Sequence, residues 1–174
     1  MYTRLAAEQC GNRVEQLVDI GVANLLRVDW LRALFPNAKL VLVVRHPADL
    51  VLGALAQSFQ PSALTHHLLS VAEIVRLLQH AEPLTHRVMK VFGERAHVLR
   101  YEAFVADPKT AVTALLQFAG LPPAREVRRQ TVFGEGLAPD RWMHYWPWLK
   151  RYEASLAELA AASGYPLIPP GTNS

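Results

Sequence analysis

Arg45 stands where a buried strand should end and a helix begin. In KLVLVVRHPADLVLGALAQ, residues 39–57, an apolar run follows the lysine, then come Arg45, His46, Pro47 and a helix-like stretch. In open parallel α/β sheets ligands bind beyond the carboxyl ends of strands, where the next helix offers unpaired backbone N–H groups and the positive end of its dipole. An arginine placed there can aim a two-pronged guanidinium at a phosphate. The same position also suits an arginine that pairs with Asp49 and only solvates the strand end. Spacing alone does not choose between the two. The single cysteine, Cys10, excludes an internal disulfide and offers no second thiol to a metal. The other residues suggest neither a Ser-His-Asp arrangement nor a metal cluster.

The elements that must position Arg45 follow from periodicity. Residues 14–19 form a short apolar-rich run that reads as a strand. From 24 to 35 the apolar residues Leu25, Leu26, Val28, Trp30, Leu31, Leu34 and Phe35 recur at helical spacing, and Pro36-Asn37 stops the pattern. Residues 39–44 are apolar after the lysine and rich in β-branched side chains, as expected of a central parallel strand covered on both faces. A helix is expected over 48–59, with Asp49 in its first turn at the positive end of the dipole. A second should run over 64–80, and Pro83 in a first-turn position should open a third that stops at Gly93. A second strand follows at 96–101. Asp107-Pro108 caps a helix ending at Gly120, and residues 153–163 form the last helix, closed by Gly164. Strands alternating with helices of this length imply βαβ units and a parallel sheet.

Composition narrows the class. A chain of 174 residues with 51% hydrophobic content and a net charge of +3 is one globular domain, with ample apolar surface to offset chain entropy. The basic residues are scattered, so no nucleic-acid stripe is present, while small anions remain suitable ligands. No apolar run approaches the roughly 20 residues needed to span a bilayer. Arg4, Glu8, Arg13 and Glu15 stand where a signal peptide would have its apolar core, so the chain reads as cytoplasmic. The late aromatics Trp142, Tyr145, Trp146, Trp148 and Tyr152 lack neighbouring basic density and read as packing of a loop and helix against the sheet. Residues 168–174 read as a flexible tail.

Three segments together resemble a known family. FPNAKLVLVVRHPADLVLGALAQSF (35–59) is similar to the signature stretch of the PAPS-dependent sulfotransferases, especially their bacterial and TPR-linked branch. That stretch runs Phe-Pro, a hydrophobic strand, Arg, then Asp or His, then Pro. VLRYEAFVADPKTAVTALLQFAGLP (98–122) resembles the family's second strand, Tyr-Glu turn, Asp-Pro-capped helix and Gly-Leu-Pro exit. DRWMHY and RYEASLAELAAASGYPL resemble its Arg-Trp segment and closing helix. The likeness covers roughly residues 14–168.

The resemblance implies an α/β fold, a helix-rich, three-layer, P-loop-kinase-like parallel sheet flanked by helices. It implies transfer of a sulfuryl group from 3′-phosphoadenosine 5′-phosphosulfate to a hydroxyl or amine, leaving adenosine 3′,5′-bisphosphate. Arg45 matches the arginine that binds the donor's 3′-phosphate. Tyr101 matches the strand end that approaches the adenine, and Trp142 with Arg141 matches the late segment near the nucleotide. Each also has an ordinary reading: a tyrosine that packs a strand end, an Arg-Trp pair that anchors a surface.

The departures are as informative. The family's phosphate-binding serine, eight residues after the arginine, falls on Gly53, and DIGVAN keeps Asp19 and Asn24 but has Ile20 and Val22 where lysine and proline are expected. The glycine-rich loop that cradles the 5′-phosphosulfate has no counterpart: MYTRLAAEQCGNR holds one glycine, Gly11, and no G-x-x-x-x-G-K sequence occurs. The catalytic base is unassigned, with His66, His67 and His144 as weak candidates. The chain is therefore expected to be a single domain over 1–174, truncated at its N-terminus to the C-terminal portion of the family fold. Its activity is open, and a non-catalytic nucleotide-binding or structural descendant is the alternative. Loss of a central strand would leave sheet edges unpaired, so a homodimer through that edge is expected.

Overall fold

Parallel pairing joins the two strands. In this computed structural model, which describes residues 16–57, 65–124 and 138–167, β1 (Leu40–Val44) and β2 (Ala96–Arg100) run side by side. Leu40 lies opposite Ala96 and Val44 opposite Arg100, so both strands leave the sheet at the same end. A 3-10 turn, Val22–Arg27, leads into α1 (Val28–Leu34) ahead of β1. Between the strands lie α2 (Pro47–Leu55) and α3 (Val71–Phe92). After β2 come α4 (Tyr101–Ala106), α5 (Pro108–Ala119), the turn Arg141–Tyr145, α6 (Trp146–Leu149) and α7 (Glu153–Ala162). The result is a helix-rich α/β chain around a small parallel sheet.

The long helix α3 serves two cores. Its first turns place Ile74 and Val75 with Ala48 and Val51 of α2, Trp142, Trp146, and Leu156 of α7. Its last turns place Val88 and Phe92 with Val28 of α1 and the strand residues Leu40 and Ala96. Each fully buried aliphatic or aromatic side chain contributes about 1.5–3 kcal/mol, so the two clusters lock the helix at both ends. On the other face of the sheet Phe118 of α5 stacks on His97 of β2, ring centroids 5.1 Å apart.

Local signals are met where they depend on neighbours in sequence. The Asp107 carboxylate accepts a hydrogen bond from Thr110 N at 3.1 Å and caps α5, and Gly120 ends it at φ 77°. Ser70 caps α3 by accepting from Glu73 N. Gly93 closes it at φ 52°, a region open to glycine and costly for other residues.

Five expectations are corrected. Residues 14 and 15 lie outside the described residues, and 16–19 are exposed and have no regular structure, so no strand forms there. The helices expected at 64–80 and from Pro83 are one helix, preceded by a 3-10 turn at Thr65–Leu68. Proline inside a helix costs about 3 kcal/mol. Here Gln79, whose carbonyl loses its partner, and Pro83 both face solvent, and packing on either side carries the helix through. Residue 101 begins α4 instead of ending β2. Finally, β1 is not covered on both faces: Val41 is 39% and Val43 59% exposed, because α5 packs over β2 on that side. The buried tryptophans pack chiefly among helices α2, α3 and α7 instead of on the sheet. Residues 58 and 59 of the helix expected at 48–59, and the expected tail at 168–174, lie outside the described residues. None of the described helices is long and apolar enough to cross a membrane.

Candidate functional site

β1 delivers Arg45 to the carboxyl end of the sheet and α2 begins two residues later, at Pro47. The Arg45 guanidinium lies over the ring of Tyr101, 4.6 Å from its centroid. Its Nη2 donates to the carbonyl of Ala138 at 3.3 Å and stands 3.9 Å from Asp49 Oδ2. The side chain is 10% exposed. Both readings of its position thus leave a mark: the arginine is at the strand mouth, and Asp49 is beside it.

Asp49 does more than accompany Arg45. It sits in the first turn of α2, 1% exposed. Its Oδ2 accepts from Asp140 N at 2.8 Å and its Oδ1 from Trp142 N at 3.1 Å. These bonds pin the start of the Arg141–Tyr145 turn, where Asp140 adopts φ 63°, unusual for a residue with a side chain. Burial pushes the Asp49 carboxyl above its ordinary value, and the amides with Arg45 only partly offset this.

His46 and Glu102 tie the same point to the C-terminal segment. The His46 Nδ1 accepts from Ala48 N at 3.2 Å, capping α2, so the ring hydrogen is assigned to Nε2, which donates to the Pro166 carbonyl at 3.2 Å. Its ring stacks on Trp142 at 4.9 Å, almost parallel. Glu102 accepts from His46 N at 2.9 Å and from the Tyr165 hydroxyl at 2.6 Å. Burial raises the Glu102 pKa, but the bonds from Tyr165 and the His46 amide, with the charge of Arg45, outweigh it and the carboxyl titrates below its ordinary 4.5. Burial, then the Glu102 carboxylate, pushes the Tyr165 phenol well above its ordinary value. A second arginine repeats the first: Arg100 lies over the Tyr165 ring at 4.6 Å and reaches the carbonyls of Ser163 and Gly164 at the end of α7.

Thus four segments far apart in the chain meet at one end of the sheet. Arg45 and Tyr101 are brought into contact. Trp142 is adjacent through Asp49 and His46, but its ring lies in the core, 1% exposed. Its Nε1 has no hydrogen-bond acceptor among the described residues. Arg141 begins the adjoining turn, half-buried. Gly53 is buried in α2. His66 and His67 are exposed and contact each other, and His67 also reaches Glu73 at the start of α3; His144 is exposed. The sequence reading missed His46, Glu102 and Tyr165 as residues that build the site. His-Pro, Tyr-Glu and Gly-Tyr stood in the motifs, but nothing in their spacing says that they meet.

Residues 2–125 match the Sulfotransferase family. The chain belongs to that family. The match includes β1, β2, Arg45, Asp49, Tyr101 and Glu102, and it ends before the 138–167 region that completes the site. No curated protein and no solved structure matches the chain.

Proposed function

We propose that the chain takes 3′-phosphoadenosine 5′-phosphosulfate as donor and carries its sulfuryl group to a hydroxyl or amine acceptor. The acceptor atom attacks sulfur, the bond from sulfur to the bridging phosphate oxygen breaks, adenosine 3′,5′-bisphosphate leaves, and the acceptor's proton passes to a base or to water. Arg45 binds the 3′-phosphate, with the Ala138 carbonyl yielding its hydrogen bond to the anion. Tyr101 backs the guanidinium, and Arg141 adds positive charge from the late turn. Trp142 acts from beneath by holding His46 at the strand exit. The observation that carries this reading is the guanidinium at the mouth of β1, against Tyr101 and the 138–142 backbone, in a chain of this family. The further detail of the family's layered, P-loop-kinase-like sheet belongs to the same proposal, as does a soluble cytoplasmic setting.

Calorimetric titration with adenosine 3′,5′-bisphosphate tests it. The wild-type chain should bind, and Arg45→Ala should lose affinity on the order of thirtyfold, as expected for a charge-assisted bond to phosphate. Equal binding by both would overturn the role of Arg45. A second reading, a nucleotide-binding or structural descendant without turnover, is favoured by the engagement of Arg45 with Ala138 and Asp49. Binding with no sulfuryl transfer to a panel of acceptors would select it. We further propose that the chain pairs with a second copy through the outer edge of β1, beside the exposed Val41 and Val43.

A further inference from the structure

The Asp49 carboxylate, the Arg45 guanidinium and the 138–142 backbone close a ring. Arg45 Nη2 reaches the Ala138 carbonyl at 3.3 Å and lies 3.9 Å from Asp49 Oδ2. The same carboxylate accepts from the amides of Asp140 at 2.8 Å and Trp142 at 3.1 Å. The aromatic face of Tyr101 closes the arginine from another side. The two backbone amides go to different oxygens of the carboxylate, and the guanidinium lies beside the oxygen that takes the Asp140 amide. A carboxylate that is 1% exposed carries a desolvation cost that a carboxamide would not. The two amides offset part of that cost, and the cation 3.9 Å from Oδ2 offsets more of it.

We propose that Asp49 is a positioning residue for Arg45, fixing the guanidinium against the 138–142 segment so that it meets a ribose 3′-phosphate in a single orientation. This rests on the reading of Arg45 as the 3′-phosphate ligand. The charge of Asp49 has two opposed effects on an anion bound at Arg45. It repels the anion, and it preorganises the fork. Removing the charge while the 138–142 turn stays in place separates them: a carboxylate that only neutralises Arg45 gives tighter anion binding when lost, and one that positions Arg45 gives weaker and less selective binding.

The experiment compares calorimetric affinities of the full chain for adenosine 3′,5′-bisphosphate and adenosine 5′-monophosphate, whose ratio isolates the 3′-phosphate. Asp49→Asn should lower that ratio about tenfold, within the range for a bond to a charged group, with adenosine 5′-monophosphate binding little changed. In the Arg45→Ala background the same substitution should leave the ratio unaltered. Asp49→Ser, which leaves room for a bridging water to the two amides, should behave likewise and serves if Asp49→Asn does not fold, as judged by near-ultraviolet circular dichroism of the buried tryptophans. A ratio kept or increased in Asp49→Asn, or an equal loss for both nucleotides, overturns the positioning role and leaves Arg45 as the ligand. A ratio that Arg45→Ala does not change overturns the 3′-phosphate reading itself, and the role of Asp49 with it.

Discussion

The two ends of this molecule treat apolar and polar side chains in opposite ways. At the carboxyl end of the sheet, Asp49 is 1% and His46 4% exposed, and each is hydrogen-bonded to residues far away in the chain. Along the segment before β1 and the outer face of β1, Ile20, Leu26, Trp30 and Val43 are exposed, up to 92% for Ile20. The first region is over-determined: the start of α2, the 138–142 segment and the C-terminal residues 163–167 each hold the others. The second carries apolar surface with little internal use among the described residues, and such surface ordinarily meets another one. Perturbation should therefore be costly in the first region and should change association, not folding, in the second.

The largest effect is expected from Trp142→Ala, which empties the centre of the larger cluster and should cost about 4 kcal/mol in urea-induced unfolding. Trp142→Phe should cost clearly less, because the indole N–H makes no hydrogen bond among the described residues. Equal losses for the two would show that the indole's polar atom matters. Next comes Asp49→Ala, at about 3 kcal/mol, since it strands two amides and removes the carboxylate beside a largely buried cation. A loss as small as that of a surface substitution would remove the claim that this carboxylate anchors the late turn.

Tyr165→Phe should cost about 1 kcal/mol at neutral pH, the worth of one hydrogen bond, and its pH dependence has a definite sign. The Glu102 pKa is lowered in the folded state, so its stabilisation is complete above the ordinary value of 4.5 and is lost as pH falls through the folded value below it. Without the Tyr165 hydroxyl that lowering shrinks. The stability difference between wild type and Tyr165→Phe should therefore narrow as pH drops below 4.5. Asp49, whose pKa is raised, contributes in the opposite sense, but equally in both proteins, and cancels from the difference. A difference constant from neutral pH to the acid limb would contradict the Glu102–Tyr165 bond.

The smallest effect on stability belongs to Val43→Lys, within about 0.5 kcal/mol for an exposed site. Light scattering should nevertheless show a wild-type dimer turned into a monomer by it. A wild-type monomer would count against association through the β1 edge.

Much of the chain's local order was legible beforehand. Asp107, Gly93, Gly120 and Gly164 mark helix ends because capping and positive φ depend on a residue and its nearest neighbours. The strand at 40–44 was visible in its apolar, β-branched run, and the family in its motifs. The continuous helix through Pro83 was not, because a local breaker was overruled by clusters that bring together residues from both ends of the chain.

What the amino-acid order determined by itself is the two paired strands and most of the helices, their boundaries where caps act, and the placing of Arg45 at a strand exit. What the tertiary structure decided is who meets Arg45. Asp49 finds its amides 91 and 93 residues away and His46 its carbonyl partner 120 residues away. No periodicity carries that information, because hydrogen-bond partners at such separations are chosen by how helices and strands pack once each has formed.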